Sequence, residues 1–132
     1  MEQHADNLFA YFCARKWVLR ADRFSSTHFN NNNLNQCRTC NRHDDHSPVI
    51  MFQAWDSQFW LGEGLAYINF YRISQDIVNT LKHECPPQYL DTHWLEERFK
   101  SNQDFKIKVY RNIALEIRRR HLSVEGFPQE FF

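Results

Sequence analysis

Between residues 24 and 46 Ser, Asn, His, Cys and Asp displace any core-forming pattern, and this stretch constrains the fold more than any other. It holds the run Asn30, Asn31, Asn32, Asn33 and the pair Cys37 and Cys40. Such a segment cannot bury enough apolar surface to offset the entropy of ordering it. It is therefore disordered, or organised by something other than a core.

The rest of the chain is apolar enough to fold. Hydrophobic residues make up 42% of the 132 positions and Phe alone contributes 12, which suits one domain without covalent staples. Only 3 Gly and 4 Pro point to helices rather than a loop-rich sandwich. Leu8, Phe9 and Phe12 suit one face of a helix over 2–20, and the alternation over 16–20 predicts a short strand at its end. Ser47 and Pro48 predict the start of a helix whose stripe is Val49, Met51, Phe52, Trp55, Phe59 and Trp60, ending at Gly62. A second helix is expected over 65–83, stopped by Cys85, Pro86 and Pro87. Asp91 and Thr92 predict the cap of a short helix with Trp94, Leu95 and Phe99. Asp104 predicts the start of a final helix in which Val109, Ile113, Ala114 and Ile117 recur at helical spacing. It closes on Arg118, Arg119, Arg120 and His121, cations that suit the negative end of a helix dipole.

Lys plus Arg equals Asp plus Glu at 16 each, so the net charge is zero. That excludes a nonspecific nucleic-acid coat protein, which would be basic, and any phosphate partner must meet a local patch. Arg15, Lys16, Arg20, Arg23, Arg38 and Arg42 flank the polar stretch and are the candidates for that patch, since Arg contacts phosphate through two donors at once. A solvated charged face accounts for the same residues nearly as well. The opening Met-Glu-Gln-His-Ala-Asp has neither the basic nor the apolar region of a signal peptide, and no apolar run reaches about 18 residues. The expectation is a cytoplasmic protein without membrane contact. In a reducing compartment Cys-x-x-Cys reads as metal or redox chemistry rather than as a disulfide framework. Redox use wants the pair at the start of a helix after a strand, whereas here it follows an Asn tract. Two thiolates at this spacing can bind one tetrahedral zinc at ~2.3 Å each. Further ligands must come from Cys13, His28, His43, His46 and Cys85.

The neighbours of the pair carry a resemblance. Ala21-Asp22-Arg23-Phe24, then His28-Phe29-Asn30, then Asn33-Leu34-Asn35-Gln36-Cys37-x-x-Cys40-Asn41 run in the order of an HNH nuclease core. The string looks most like the phage recombination NinG family, with Cys13 and Trp17 upstream and Gly62-Glu63-Gly64-Leu65 downstream at matching places. The resemblance implies a ββα-metal hairpin and helix, one divalent ion on the scissile phosphate, and a His that activates water. Asp22 lies just before the position of the general base, Asn33 (or Asn32) matches the Asn that orients the hairpin, and Asn41 follows the second thiol. Two departures weaken it. Arg23 stands where the base should be, and a guanidinium stays protonated at physiological pH; His28 is the substitute base. Ala10 stands where the family has a thiol, which leaves Cys13, Cys37 and Cys40 with His43 to complete a structural zinc site.

The expected fold is therefore mainly α with a small β-hairpin, an α+β arrangement. A degenerate HNH-like core over 10–46 would pack on the helices of 47–132. The first functional expectation is a DNA- or RNA-binding protein of this descent, encoded by a phage or mobile element and working in the host cytoplasm. Its endonuclease activity would be weak or lost, with Asp22, His28 and Asn33 as the catalytic set and Mg²⁺ or Mn²⁺ as the ion. The alternative is a non-enzymatic module on the same scaffold, presenting aromatic-rich helices to a protein partner. Zero net charge and the missing base favour that alternative.

Overall fold

The computed structural model describes residues 2–39, 49–62, 64–65, 79 and 83–132, and the side chains of all of these except 2, 23–39 and 90. The chain opens with one helix, α1, Glu2–Thr39. Its inner face carries Ala5, Phe9, Ala10, Cys13, Ala14, Trp17, Val18 and Ala21, each buried and each three or four residues from another member of that face. This periodicity outvotes the local alternation at 16–20. The strand expected there is helix, because Trp17, Val18 and Ala21 continue the stripe begun by Phe9 and Cys13.

The segment after the undescribed residues 40–48 also departs from expectation. A helix was predicted from Ser47, but Ile50–Met51 is a strand, β1, and the helix α2 is Phe52–Trp60. Strand β1 pairs in parallel with β2, Val124–Glu125, with Ile50 opposite Val124. The buried, β-branched Ile50 is held by Val124 near the far end of the chain, a long-range pairing that overrides local helical preference. Helix α2 ends as expected: Leu61 caps it and Gly62 turns the chain at φ +112, which favours glycine.

Most of the helix expected over 65–83 lies outside the described residues; Asn79, His83 and Glu84 are helical. A 3₁₀ turn, Pro87–Leu90, leads to α3, Thr92–Ser101, capped by the Asp91 side chain, which accepts from the amides of His93 and Trp94. This cap was legible in the sequence. Helix α4, Gln103–Arg120, starts one residue before the expected Asp104 and is capped by Asn102. Helix α1 packs most extensively along α4. A single apolar cluster runs from Ala5 through α1, β1, α2, α3 and α4 to Phe127. The chain is thus mainly helical with a two-stranded parallel sheet, as the broad fold expectation held. The hairpin over 10–46 has no strand among residues 10–39, which are helical throughout.

Candidate functional site

A continuous α1 decides where the candidate residues stand. Asp22, His28 and Asn33 all lie on it, and Asp22 and Asn33 are separated by roughly 16 Å of helical rise. Asp22 and His28, the metal-ligand and base positions, are separated by roughly 9 Å of rise on the same helix. Cys13 and Cys37 share the same helix, roughly 36 Å apart along its axis. Two thiolates on one zinc must lie within a few ångströms of each other, so Cys13 and Cys37 do not belong to one ion. Cys13 is instead a core residue, fully buried, with Cys85 close enough for the two to interact electrostatically. Burial pushes the Cys13 thiol well up, with the nearby Cys85 adding to it, and burial lifts Cys85 to about 11, helped by Glu84. Both are free thiols. Cys40, His43 and Arg42 lie outside the described residues, and so do the side chains of Arg23, His28, Asn33, Cys37 and Arg38. No cluster of three metal-binding side chains occurs among the described residues.

Of the basic candidates on α1 whose side chains are described, Arg15, Lys16 and Arg20 do not form a displayed row. Lys16 is only 6% exposed, because it sits on the same side of the helix as the buried stripe. Arg20 is half-buried. Arg15, also half-buried, donates to the Tyr11 hydroxyl at 2.9 Å and sets its guanidinium 5.6 Å from that ring. Glu116, buried on α4, accepts from Arg119 at 2.8 Å and pairs with Arg120 at 2.9 Å. Arg118 donates to the Phe132 carbonyl.

What the described residues do assemble is a polar junction that sequence reasoning missed. Asp56 on α2 accepts from the Trp17 indole of α1 at 2.9 Å and the Trp60 indole at 3.1 Å, both on Oδ1. Its Oδ2 accepts from the Tyr110 hydroxyl of α4 at 2.7 Å. Burial raises the Asp56 carboxyl above the usual carboxylate range, partly offset by hydrogen bonds from Tyr110, Trp17 and Trp60. The one signal in the sequence was an acid inside an apolar stripe, between Trp55 and Trp60. A second junction ties α1 to α3. Asp6 accepts from Arg98 at 2.8 and 2.6 Å and from the Tyr89 hydroxyl, while the Arg98 guanidinium lies 5.3 Å from the Trp94 ring and 5.5 Å from Phe105.

A groove of about 550 Å³ lies where β1 gives way to α2, lined by Met51, Phe52, Gln53, Ala54, Glu125 and Gly126. Met51 is 54% exposed there, and Leu61 at the other end of α2 is 69% exposed. No helix among the described residues is long and apolar enough to cross a membrane. Comparison with family models, with curated proteins and with solved structures finds no match, so the likeness of residues 22–46 to an HNH core rests on the quoted residues alone.

Proposed function

We propose that the chain is a non-enzymatic interaction module that engages a protein partner through the apolar surface at the two ends of α2. The observation that carries this reading is the exposure of Met51 and Leu61, with the groove beside Met51, while Lys16 is drawn into the packed side of α1. Met51 borders the groove, and exposed apolar surface beside a concavity is a feature of protein-binding faces. A net charge of zero supports the same reading, because no general field draws polyanions to the chain. The test is cross-linking capture from a lysate with the wild type beside Met51→Glu and Leu61→Glu, each checked for native helicity. A protein captured by the wild type and lost by both folded variants supports the module. Equal capture by all three removes the α2 surface from consideration.

A second reading keeps the nucleic-acid partner and the HNH/NinG-like descent. It is favoured by the exposed arginines Arg118 and Arg119 at the end of α4 and by the Cys37-x-x-Cys40 spacing. Here Arg23 and Arg38 contact phosphate, and zinc on Cys37 and Cys40 with His43 orders the end of α1. Gel shifts at low and high salt, run beside plasmid nicking with Mg²⁺ or Mn²⁺, separate the two. Binding that weakens steeply with salt, and falls in Arg23→Ala with Arg38→Ala, supports this second reading. No shift and no nicking leave the protein-binding module.

A further inference from the structure

The face of α4 turned away from the core carries an excess of one charge. Phe105, Val109, Ile113, Ala114 and Ile117 take the buried side of this helix. On the opposite side Lys108, Arg111, Leu115 and Arg118 follow one another at three- and four-residue spacing, a single row over roughly 15 Å of helical rise. Arg111, Leu115 and Arg118 are exposed and Lys108 is half-buried. Among the described residues neither Lys108 nor Arg111 enters an ion pair, although Asp104 stands one turn before Lys108. Arg118 donates to the Phe132 carbonyl, a neutral group. Arg119 and Arg120 share one carboxylate, that of Glu116. The helix dipole accounts for cations in the last turn, but its effect has faded by Arg111 and Lys108.

Leu115 decides which anion suits this row. It is 61% exposed and stands between Arg111 and Arg118, and the exposed Phe132 ring lies 5.3 Å from the Arg118 guanidinium. A line of phosphates would meet the guanidiniums and leave Leu115 in water. A protein helix with Asp or Glu on either side of an apolar residue meets both, because its side chains recur at the same spacing. We infer that the outer face of α4 docks an acidic amphipathic helix of a protein partner, with carboxylates on Lys108, Arg111 and Arg118 and an apolar side chain on Leu115. Arg binds a carboxylate through two parallel N–H groups, so Arg111 and Arg118 set the register of the incoming helix. Leu115 supplies the apolar contact that excludes water between them. This face lies on a different helix from Met51 and Leu61 and works whether or not they bind a partner.

The probe is a fluorescein-labelled peptide of about 18 residues, long enough to hold a helix alone, with Glu along one face on both sides of a central Leu. Anisotropy titrations compare it with the same peptide carrying Gln in place of Glu and with a labelled DNA duplex. Co-sedimentation measures binding to vesicles of phosphatidylserine and phosphatidylcholine. The wild type should bind the Glu peptide, more weakly as salt rises, and bind the Gln peptide at least about tenfold less tightly. Arg111→Glu with Arg118→Glu should weaken the Glu peptide by about tenfold or more, and Leu115→Ser by about threefold or more, each with native helicity by circular dichroism. Arg111→Gln, one change at an exposed position, gives the same reading in smaller measure if the double variant loses its helicity. Met51→Glu should bind the peptide as the wild type does, which separates this face from the surface of α2. No binding of the Glu peptide, or equal binding by the Gln peptide or by Leu115→Ser, overturns the inference. Tighter binding of the duplex or the vesicles, lost in the same arginine variants, also overturns it and assigns the face to phosphate.

Discussion

Arg98 shows how one side chain can hold two helices by several weak effects at once. It gives Asp6 two hydrogen bonds, and its flat guanidinium lies over the rings of Tyr89, Trp94 and Phe105. Both partners are largely shielded, at 20% and 13% side-chain exposure, so solvent screens the pair less than it would a surface bridge. Arg98→Ala is expected to cost about 2–3 kcal/mol, because it strands the Asp6 charge and removes the stacking together. Arg98→Lys should recover only part of this, since an ammonium offers no planar fork. Urea unfolding of both variants checks the order, and a loss under about 0.5 kcal/mol for the alanine would show the pair to be effectively solvated. Gly64 is a steric case. A Cβ placed there would stand 1.9 Å from Cδ2 of Phe59, which is itself fully buried. Gly64→Ala should therefore destabilise by about 1–3 kcal/mol through overpacking, read as a lower thermal midpoint. Neither effect was legible beforehand. Nothing in the sequence singles out Arg98, and Gly64 entered only as one member of the Gly62-Glu63-Gly64-Leu65 match. The role of Arg98 comes from Asp6, ninety-two residues earlier, and that of Gly64 from the way the turn after α2 folds back onto Phe59.

At the level of the elements, what was legible followed periodicity and capping, and what was missed followed long-range contacts. Asp91 announced α3 because a short acid before an apolar run satisfies free amides wherever it stands. The stripe of α4 was equally local. Strand β1 was misread because Val49, Ile50 and Met51 fit a helical stripe as well as a strand, and only Val124 decides between them. The largest difference is α1. Residues 24–39 contain four successive Asn with Ser, Thr and His, a poor helical composition, yet the backbone continues as helix to Thr39. Spin labels at positions 22 and 35 test this directly. A continuous helix separates them by roughly 20 Å along its axis. A hairpin of the HNH kind would bring them to about 5–10 Å, the distance across one or two strand spacings. A distance distribution centred near the helical value supports α1 as described; a short one restores the hairpin and with it the nuclease constellation of Asp22, His28 and Asn33.

Across the whole molecule the aromatic residues do the joining. Phe52 meets Trp17 of α1, Tyr110 of α4 and Phe127 of the C-terminal segment, and Trp60 stacks on Phe99 of α3 with centroids 3.7 Å apart. Among the described residues Phe9, Phe12, Phe52, Phe59, Phe99, Phe105 and Phe127 thus lie in one connected core rather than a surface platform, and an aromatic-rich core was legible from composition. Which rings touch was not, because the partners lie up to about eighty residues apart. Phe127 is the point where the last segment is fastened. It is buried, sits 4.9 Å from Phe52, and also meets Tyr110, Phe131 and Phe132. Just before it β2 holds β1, and the Ile50 amide donates to the Ser123 carbonyl at 2.8 Å. Phe127→Ala should cost about 3–4 kcal/mol, the usual loss for a large ring removed from a core. The loss should be uneven. Helices α1 and α4 keep their shared face from Phe9 and Cys13 to Val109 and Ile113, whereas β1 and β2 depend on the fastening. Hydrogen exchange should therefore show the Ile50 amide losing protection first, with the amides around Trp17 and Ile113 slowed nearly as before. If protection falls by the same factor at all of these amides, β1, β2 and the aromatic tail open only with the helices, and the C-terminal segment is an integral part of the core.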